Sequence, residues 1–368
     1  RCLVGSEMCI RDSISTVVFF TYNFPSRNDK RITQFIEKGY KVIVYSFVEK
    51  SQPQNYSIIR LGNYPRRMSY FKRLYHYSID IKREVRKFDK QTTLFYFFTL
   101  NTAVAVLFTN GIKYVYEESD MLFDRLKAGI GKSLFKNLNL KIIRNSYVTV
   151  FTSQGFADYY YGDNVPKNIV LILNKVDERL FTLPKVEKEK TDIKHLRFAF
   201  VGNVRYHTLI NMAKVITLNF PNFEFHFYGT TYPNMEIEAE SLKDINNIFF
   251  HGAFKNPIDL PKIYSKIDFI VATYDTTTLN PQYAEPNKIY EAIFFRTPII
   301  VSYNSYLANK VNKLKVGFDV NALKDDEIIS KIKGISQVIY DSYVSALNAI
   351  PQKEAVSDAS VLFERISN

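Results

Sequence analysis

Short apolar runs alternate with helix-patterned segments through most of these 368 residues, and the alternation is interrupted once. Thr16–Thr21 (TVVFFT), Lys41–Phe47, Leu94–Phe98, Lys113–Glu117 and Tyr147–Thr152 read as strands apolar on both faces, the pattern of a parallel sheet covered on both sides. Between them fall helical stretches at Asn28–Lys38, stopped by Gly39, at Asn101–Asn110, closed by Gly111, and a long basic helix before Tyr147. A polar, charged stretch carrying Pro184, Asn174–Lys194, breaks the pattern. It then restarts: strands at Arg197–Gly202, Phe223–Gly229, Asn247–Gly252, Asp268–Thr273 and Ile299–Ser302, with helices at Tyr206–Asn219 and Pro286–Phe295. Repeated strand and helix implies parallel sheets with right-handed crossovers, and the length suits two domains. The predicted class is α/β: two doubly wound Rossmann-like domains facing a cleft, a favoured place for ligands.

The predicted boundaries are a non-native tail at 1–13, an N-terminal domain at 14–174, a linker at 175–195, a C-terminal domain at 196–349 and a C-terminal helix within 350–368 packing back on the first domain. The tail holds both cysteines, Cys2 and Cys9, and shows neither strand alternation nor a helical stripe. Without it no disulfide framework or thiolate chemistry remains, which fits a reducing compartment. No segment reaches the about 18 apolar residues that span a bilayer. Charge is lopsided: residues 1–174 hold 26 Lys and Arg against 14 Asp and Glu, whereas 175–368 hold 23 of each, so the net +12 sits in the first half. Residues 64–90 and 125–157 carry it, with aromatics interleaved in the first. Arg66, Arg67, Lys72, Arg73, Lys132 and Lys136 are the expected cations of a membrane or acceptor surface, since each Lys or Arg near anionic lipid contributes about 1 kcal/mol. The plainer alternative is a set of solvated helix faces.

Three motifs of the second half place chemistry at strand ends. FVGNVRY, Phe200–Tyr206, ends a strand in Gly202 and sets Arg205 at the mouth of a helix, where a guanidinium and the helix N-terminus favour phosphate. FYGTT and HGAF put Gly229 and Gly252 at matching places, though each glycine alone is accounted for by a tight turn. EPNKIYEAIFFRTPII, Glu285–Ile300, sets Lys288 and Glu291 three apart on one helix face behind Asn287. A carboxylate there can accept both hydroxyls of a ribose, and a lysine can meet a diphosphate. A surface ion pair is the bland reading of that spacing.

The order VGNVR, FYG, FHGAF and EPNKIYEAIFFRTPIIVS resembles the C-terminal half of retaining glycosyltransferases of family 4, which have the two-domain GT-B fold. LNKVDERLF resembles the family's interdomain segment, and FFTYNFPSRNDKRITQFIEKGYKVIVYSF, YVYEESDM and VFTSQGF match its first half more loosely. The resemblance implies a hexosyltransferase-like, metal-independent, retaining enzyme that takes a UDP- or GDP-sugar and needs no cofactor. It places Glu291 on the ribose; beside it, the motifs read above put Arg205 and Lys288 on the diphosphate, Asn287 among the donor-binding residues, and Gly202 and Gly229 where the backbone approaches the donor. Asp120 and Glu118 become the candidates to polarise the acceptor hydroxyl. The acceptor is expected to be a lipid-linked glycan of a surface polysaccharide, and the protein to sit in the cytoplasm on the inner face of a bacterial membrane. The chain departs from the family in four places. Asn23, Phe24 and Pro25 replace a glycine-rich loop, Ser119 precedes Asp120 where relatives have histidine, position 283 is Tyr where a first glutamate is usual, and His207 and Thr208 follow Arg205 where a lysine often stands.

Other readings remain beside this one. A nucleotide-sugar epimerase shares the fold, and a protein that binds nucleotide sugar without turnover, or binds nucleic acid, would also carry such charge; no nucleic acid is expected, because its readers use compact modules with exposed aromatics. GIGKS at Gly129–Ser133 fails as a phosphate loop because Leu126 stands where its first glycine belongs. The five histidines lack metal-ligand spacing, and no metal site is expected.

Overall fold

The computed structural model describes residues 14–48, 55–65 and 67–367. The expected tail, with both cysteines, and the expected surface residue Arg66 lie outside the described residues. The chain divides into two compact units: one takes the chain through Thr152, Asp163–Ile172 and the stretch from Asp358 on, the other Ser153–Gly162 and Leu173–Ser357.

Among the described residues the first unit has seven strands: β1 (Thr16–Thr21), β2 (Lys41–Ser46), β3 (Ile58–Arg60), β4 (Thr93–Phe98), β5 (Lys113–Glu118), β6 (Val148–Phe151) and β7 (Ile169–Leu171). They pair in the order β3-β2-β1-β4-β5-β6-β7, every pair parallel. β1 and β4 are central and almost wholly buried, which is why their sequences are apolar at consecutive rather than alternate positions. Aromatic rings fill both faces: Phe19 packs on Phe35, Tyr96 and Phe98, while Phe20 stacks at 5.3 Å on both Tyr45 and Phe97. Such pairs contribute about 0.5–1.5 kcal/mol each beyond burial. The helix Ser360–Ser367 buries Leu362 and Ile366 in the same core, and Phe363 meets the Phe35 ring at 4.9 Å.

One expected helix changes form. Asn101–Asn110 is a short helix, Thr99–Ala103, followed by a tighter 3-10 turn, Val104–Phe108. Thr102 Oγ1 donates back to the Phe98 and Thr99 carbonyls, and the branched Val104 and Val106 lower the preference for a continuous α-helix.

The second unit has β8 (Arg197–Val201), β9 (Glu224–Tyr228), β10 (Ile248–Gly252), β11 (Phe269–Ala272), β12 (Ile299–Ser302) and β13 (Gly317–Val320). Their order is β10-β9-β8-β11-β12-β13, again parallel throughout. β13 escaped the sequence reading because Asp319 interrupts so short an apolar run. The expected helix Pro286–Phe295 runs Lys288–Phe295, because the first helical amides, of Tyr290 and Glu291, bond to the Asn287 carbonyl. The polar stretch from Asn174 lies along this unit: Val176 and Leu180 are in its core, Lys188 Nζ donates to Thr297 Oγ1 at 2.7 Å, and Thr191 Oγ1 donates to buried Asp268 at 2.7 Å.

In both sheets the strand order reverses beside the first strand, between β1 and β4 and between β8 and β11. The carboxyl ends of those strands are where doubly wound folds take ligands.

Candidate functional site

At the second unit's reversal point the ends of β8 and β9 are pressed together. The Gly202 amide donates to Tyr228 O and the Gly229 amide to Gly252 O, both at 2.7 Å. Gly229 has φ +136°, and a Cβ there would lie 2.0 Å from the Gly202 carbonyl oxygen, so this position admits glycine only. The contact lets the chain past Gly202 stay paired with the chain past Gly229, through Val204 and Thr231, before Arg205 opens outward.

Arg205 is exposed, with its guanidinium 5.2 Å over the Tyr206 ring. Tyr206 in turn meets Tyr274, just past β11, edge to face at 5.3 Å. Ser302 Oγ pins that turn, accepting from the Tyr274 amide at 2.5 Å and donating to its carbonyl at 2.6 Å. Burial drives the Tyr274 hydroxyl far above its usual value; Arg205 pulls it down, and Tyr206 and Glu291 push it up. The phenol is therefore a proton donor at any physiological pH, standing in the fields of both Arg205 and Glu291. Neither tyrosine was singled out from the sequence, although the loop holding Tyr274 precedes the glutamate motif directly.

Glu291, one turn into its helix, is buried, and so is Lys288. Lys288 Nζ donates to Glu291 Oε2 at 2.5 Å, the Tyr264 hydroxyl donates to the same oxygen, and the Asn287 amide donates to Oε1. This is a buried ion pair, not the surface pair that i, i+3 spacing suggests. Burial first, then Glu291, pushes the Tyr264 hydroxyl well above its usual range. A carboxylate offers about four lone-pair positions. Three are occupied, which leaves one, on Oε1, in a side chain that is 2% exposed.

A second carboxylate stands on the same turn. Glu285, also buried, accepts from the Tyr290 hydroxyl and from Lys310 Nζ, and Lys310 lies 4.9 Å over the Tyr290 ring. Lys310 is contributed by the helix Tyr306–Leu314, 25 residues on, which no local spacing reveals.

In the first unit, Asp120 sits beyond the end of β5 with its side chain 24% exposed, and Arg27 Nη2 donates to it at 3.1 Å. Glu118, the other acid candidate, is only 1% exposed, and its two oxygens accept from Asn139 Nδ2 at 2.9 and 3.0 Å. Only Asp120 of the two reaches solvent. Beneath them, Arg31 Nε donates to Glu117 at 3.1 Å and Tyr96 donates to the same carboxylate. Burial opposes the Arg31 charge, but Glu117 and Tyr96 outweigh it and hold the guanidinium above its ordinary value.

Of the expected surface cations, Arg67 and Lys72 are exposed, Arg73 and Lys136 are half-buried, and Lys132 donates to Asp124 at 2.7 Å. Among the described residues no group of three or more His, Cys, Asp or Glu is placed to hold a metal ion, and no helix is long and apolar enough to cross a membrane.

No protein-family model matches the sequence, and no curated protein matches it. Solved structures do. Sucrose-phosphate synthase from Thermosynechococcus elongatus is similar with TM-score 0.71 and 14% identity, over 96% of this chain and 98% of that one. HepE of Anabaena, in complex with UDP and glucose, is similar with TM-score 0.69 and 16% identity over 96% and 98%. WaaG, a glycosyltransferase involved in lipopolysaccharide biosynthesis, is similar with TM-score 0.63 and 13% identity over 92% and 97%. At such identities the likeness establishes architecture: two doubly wound Rossmann-like domains of the GT-B type.

Proposed function

We propose that this chain is a glycosyltransferase that moves a sugar from a nucleoside diphosphate sugar to a lipid-linked glycan acceptor, in the making of a surface polysaccharide. The observation that carries the reading is the buried Glu291 carboxylate, held by Lys288, Tyr264 and Asn287, with Arg205, Tyr206 and Tyr274 at the reversal point of the same sheet. Similar folds holding UDP support it.

In this reading Glu291 takes a ribose hydroxyl and Lys288 fixes the carboxylate while lending its charge to the diphosphate side. Arg205 meets the diphosphate, and the Gly202 and Gly229 turn lets the backbone come close. Transfer breaks the bond from the anomeric carbon to the diphosphate oxygen and forms one to the acceptor oxygen, whose proton passes to the Asp120 carboxylate. Negative charge grows on the departing diphosphate, so a fixed guanidinium and helix N-termini aimed there lower the barrier without a metal. Asp120, held by Arg27, is assigned to the acceptor hydroxyl, and buried Glu118 to supporting that strand end. Retention of configuration and action in the cytoplasm, on the inner membrane face, complete the proposal.

A thermal-shift screen of UDP- and GDP-sugars tests it, followed by product analysis with the responding donor. Stabilisation by at least one nucleotide sugar is expected, along with donor cleavage that depends on Asp120. A C2 epimer of the donor sugar as the product would instead favour the epimerase reading, and silence across the screen would end both.

A further inference from the structure

The basic half of the chain builds an exposed face that is apolar as well as charged. On the helix Tyr70–Val85, Phe71, Tyr75 and Ile79 recur every four residues and so share one stripe. Phe71 is 56% exposed and Tyr75 61%. Exposed Lys72 and, just past the helix, exposed Arg86 flank the stripe, while the helix's two acids, Asp80 and Glu84, are buried on its other side. The helix Ile130–Asn145 contains no acid. Its Ile130 is 90% exposed and Leu134 56%, with exposed Lys141 and Arg144 further along the same stripe. The first turn of one helix meets the second turn of the other, where Phe71 packs edge-on to Phe135 at 5.4 Å and Tyr70 lies 6.1 Å from the same ring. Exposed Phe71 and exposed Leu134 thus flank one contact. These helices lead into β4 and β6, so their first turns lie at the carboxyl edge of the sheet, the edge that carries Asp120.

The geometry points to a docking surface for an anionic lipid bilayer, with Phe71, Tyr75, Ile130 and Leu134 entering the headgroup layer and Lys72, Arg86, Lys141 and Arg144 meeting its charge. Large apolar side chains left in water beside cations, with acids turned inward, are the signature of an element that lies in an interface. A polynucleotide matches the cations but leaves the aliphatic Ile130 and Leu134 without a role, since its bases stack on aromatic rings. The inference rests on the proposed lipid-linked acceptor, because it presents the acceptor edge of the first unit to the membrane.

The test is flotation with phosphatidylcholine vesicles, with and without a quarter phosphatidylglycerol, comparing the natural chain with Ile130→Ser/Leu134→Ser and with Lys72→Glu/Arg86→Glu. Thermal melts of all three confirm folding, and the UDP-induced shift is measured in parallel. Binding is expected only to the anionic vesicles, falling by roughly tenfold or more in each double variant, with the UDP shift retained. Equal binding by the serine variant, no binding to anionic vesicles, or binding to a single-stranded oligonucleotide in place of vesicles would overturn the surface. Vesicle binding without any nucleotide shift would leave the surface standing and refute the donor reading, so the two fail separately.

Discussion

Replacing Glu291 with alanine removes the acceptor of Lys288, Tyr264 and Asn287 at once, and leaves an ammonium that is 6% exposed without its counter-charge. Breaking one side of a buried ion pair costs about 3–5 kcal/mol, whereas replacing both partners with apolar groups of similar volume is often close to neutral. Glu291→Ala should therefore lower the unfolding free energy of the second unit by about 3 kcal/mol or more. For a unit of this size that is a drop on the order of 10 °C in Tm. Lys288→Met alone should cost less, because the carboxylate keeps its Tyr264 and Asn287 donors. The double variant Glu291→Leu/Lys288→Met should recover most of the loss, with a coupling of about 2 kcal/mol between the positions. Urea unfolding of the natural chain, Glu291→Leu, Lys288→Met and the double variant, followed by tyrosine fluorescence and circular dichroism, gives the cycle, since leucine at 291 leaves the same uncompensated ammonium as alanine. If each single variant loses under about 1 kcal/mol, or the losses simply add, the pair is not the buried unit described and the reasoning fails.

Other consequences follow from the same contacts. Gly229→Ala would drive a methyl into the Gly202 carbonyl, and a stability loss of about 2 kcal/mol or more, with weakened nucleotide response, should appear in a melt; a neutral alanine would refute the close approach. Lys310→Met leaves the buried Glu285 with Tyr290 alone and should destabilise by about 3 kcal/mol, restored by a paired Glu285→Gln. His226 lies 3.0 Å from both His251 and Glu224, and burial, then His251 and Arg197 against the opposing pull of Glu224, lowers its pKa. The unfolded chain then takes up the proton first, so stability should fall as pH drops below about 6.5, and His226→Phe should flatten that slope.

Parts of the architecture are written locally. β1 and β12 extend no more than one polar residue beyond their apolar runs, because both faces of each are covered. The three-residue strands β3 and β7 have too few positions to show a period, and their pairing with neighbours alone makes them strands. The site divides the same way. Lys288 and Glu291 were legible as neighbours because three residues is nearly one helical turn, but the burial of that pair depends on Tyr264, from a helix 27 residues earlier. Glu285 stands two residues past Tyr283, the position where the resemblance puts a glutamate, so spacing alone gave it no role, and the structure gives it Lys310 and Tyr290 as partners. The tyrosines beside Arg205 stayed hidden because Tyr206 and Tyr274 are brought together by the β8 and β11 pairing, which no linear motif encodes.

Whether Glu291 holds a nucleotide is tested most directly by calorimetric titration of UDP and GDP into the natural chain and into Glu291→Gln. Glutamine keeps the shape and one acceptor oxygen while removing the charge that brings a hydroxyl's bond to about 1.5–3 kcal/mol, against about 0.5–1.5 kcal/mol for a neutral acceptor. One of the two nucleotides should bind at one site per chain, and the substitution should weaken it by about tenfold or more, with the protein still folded at the temperature of measurement. Absence of binding by both nucleotides, or an unchanged Kd in Glu291→Gln, would contradict the account.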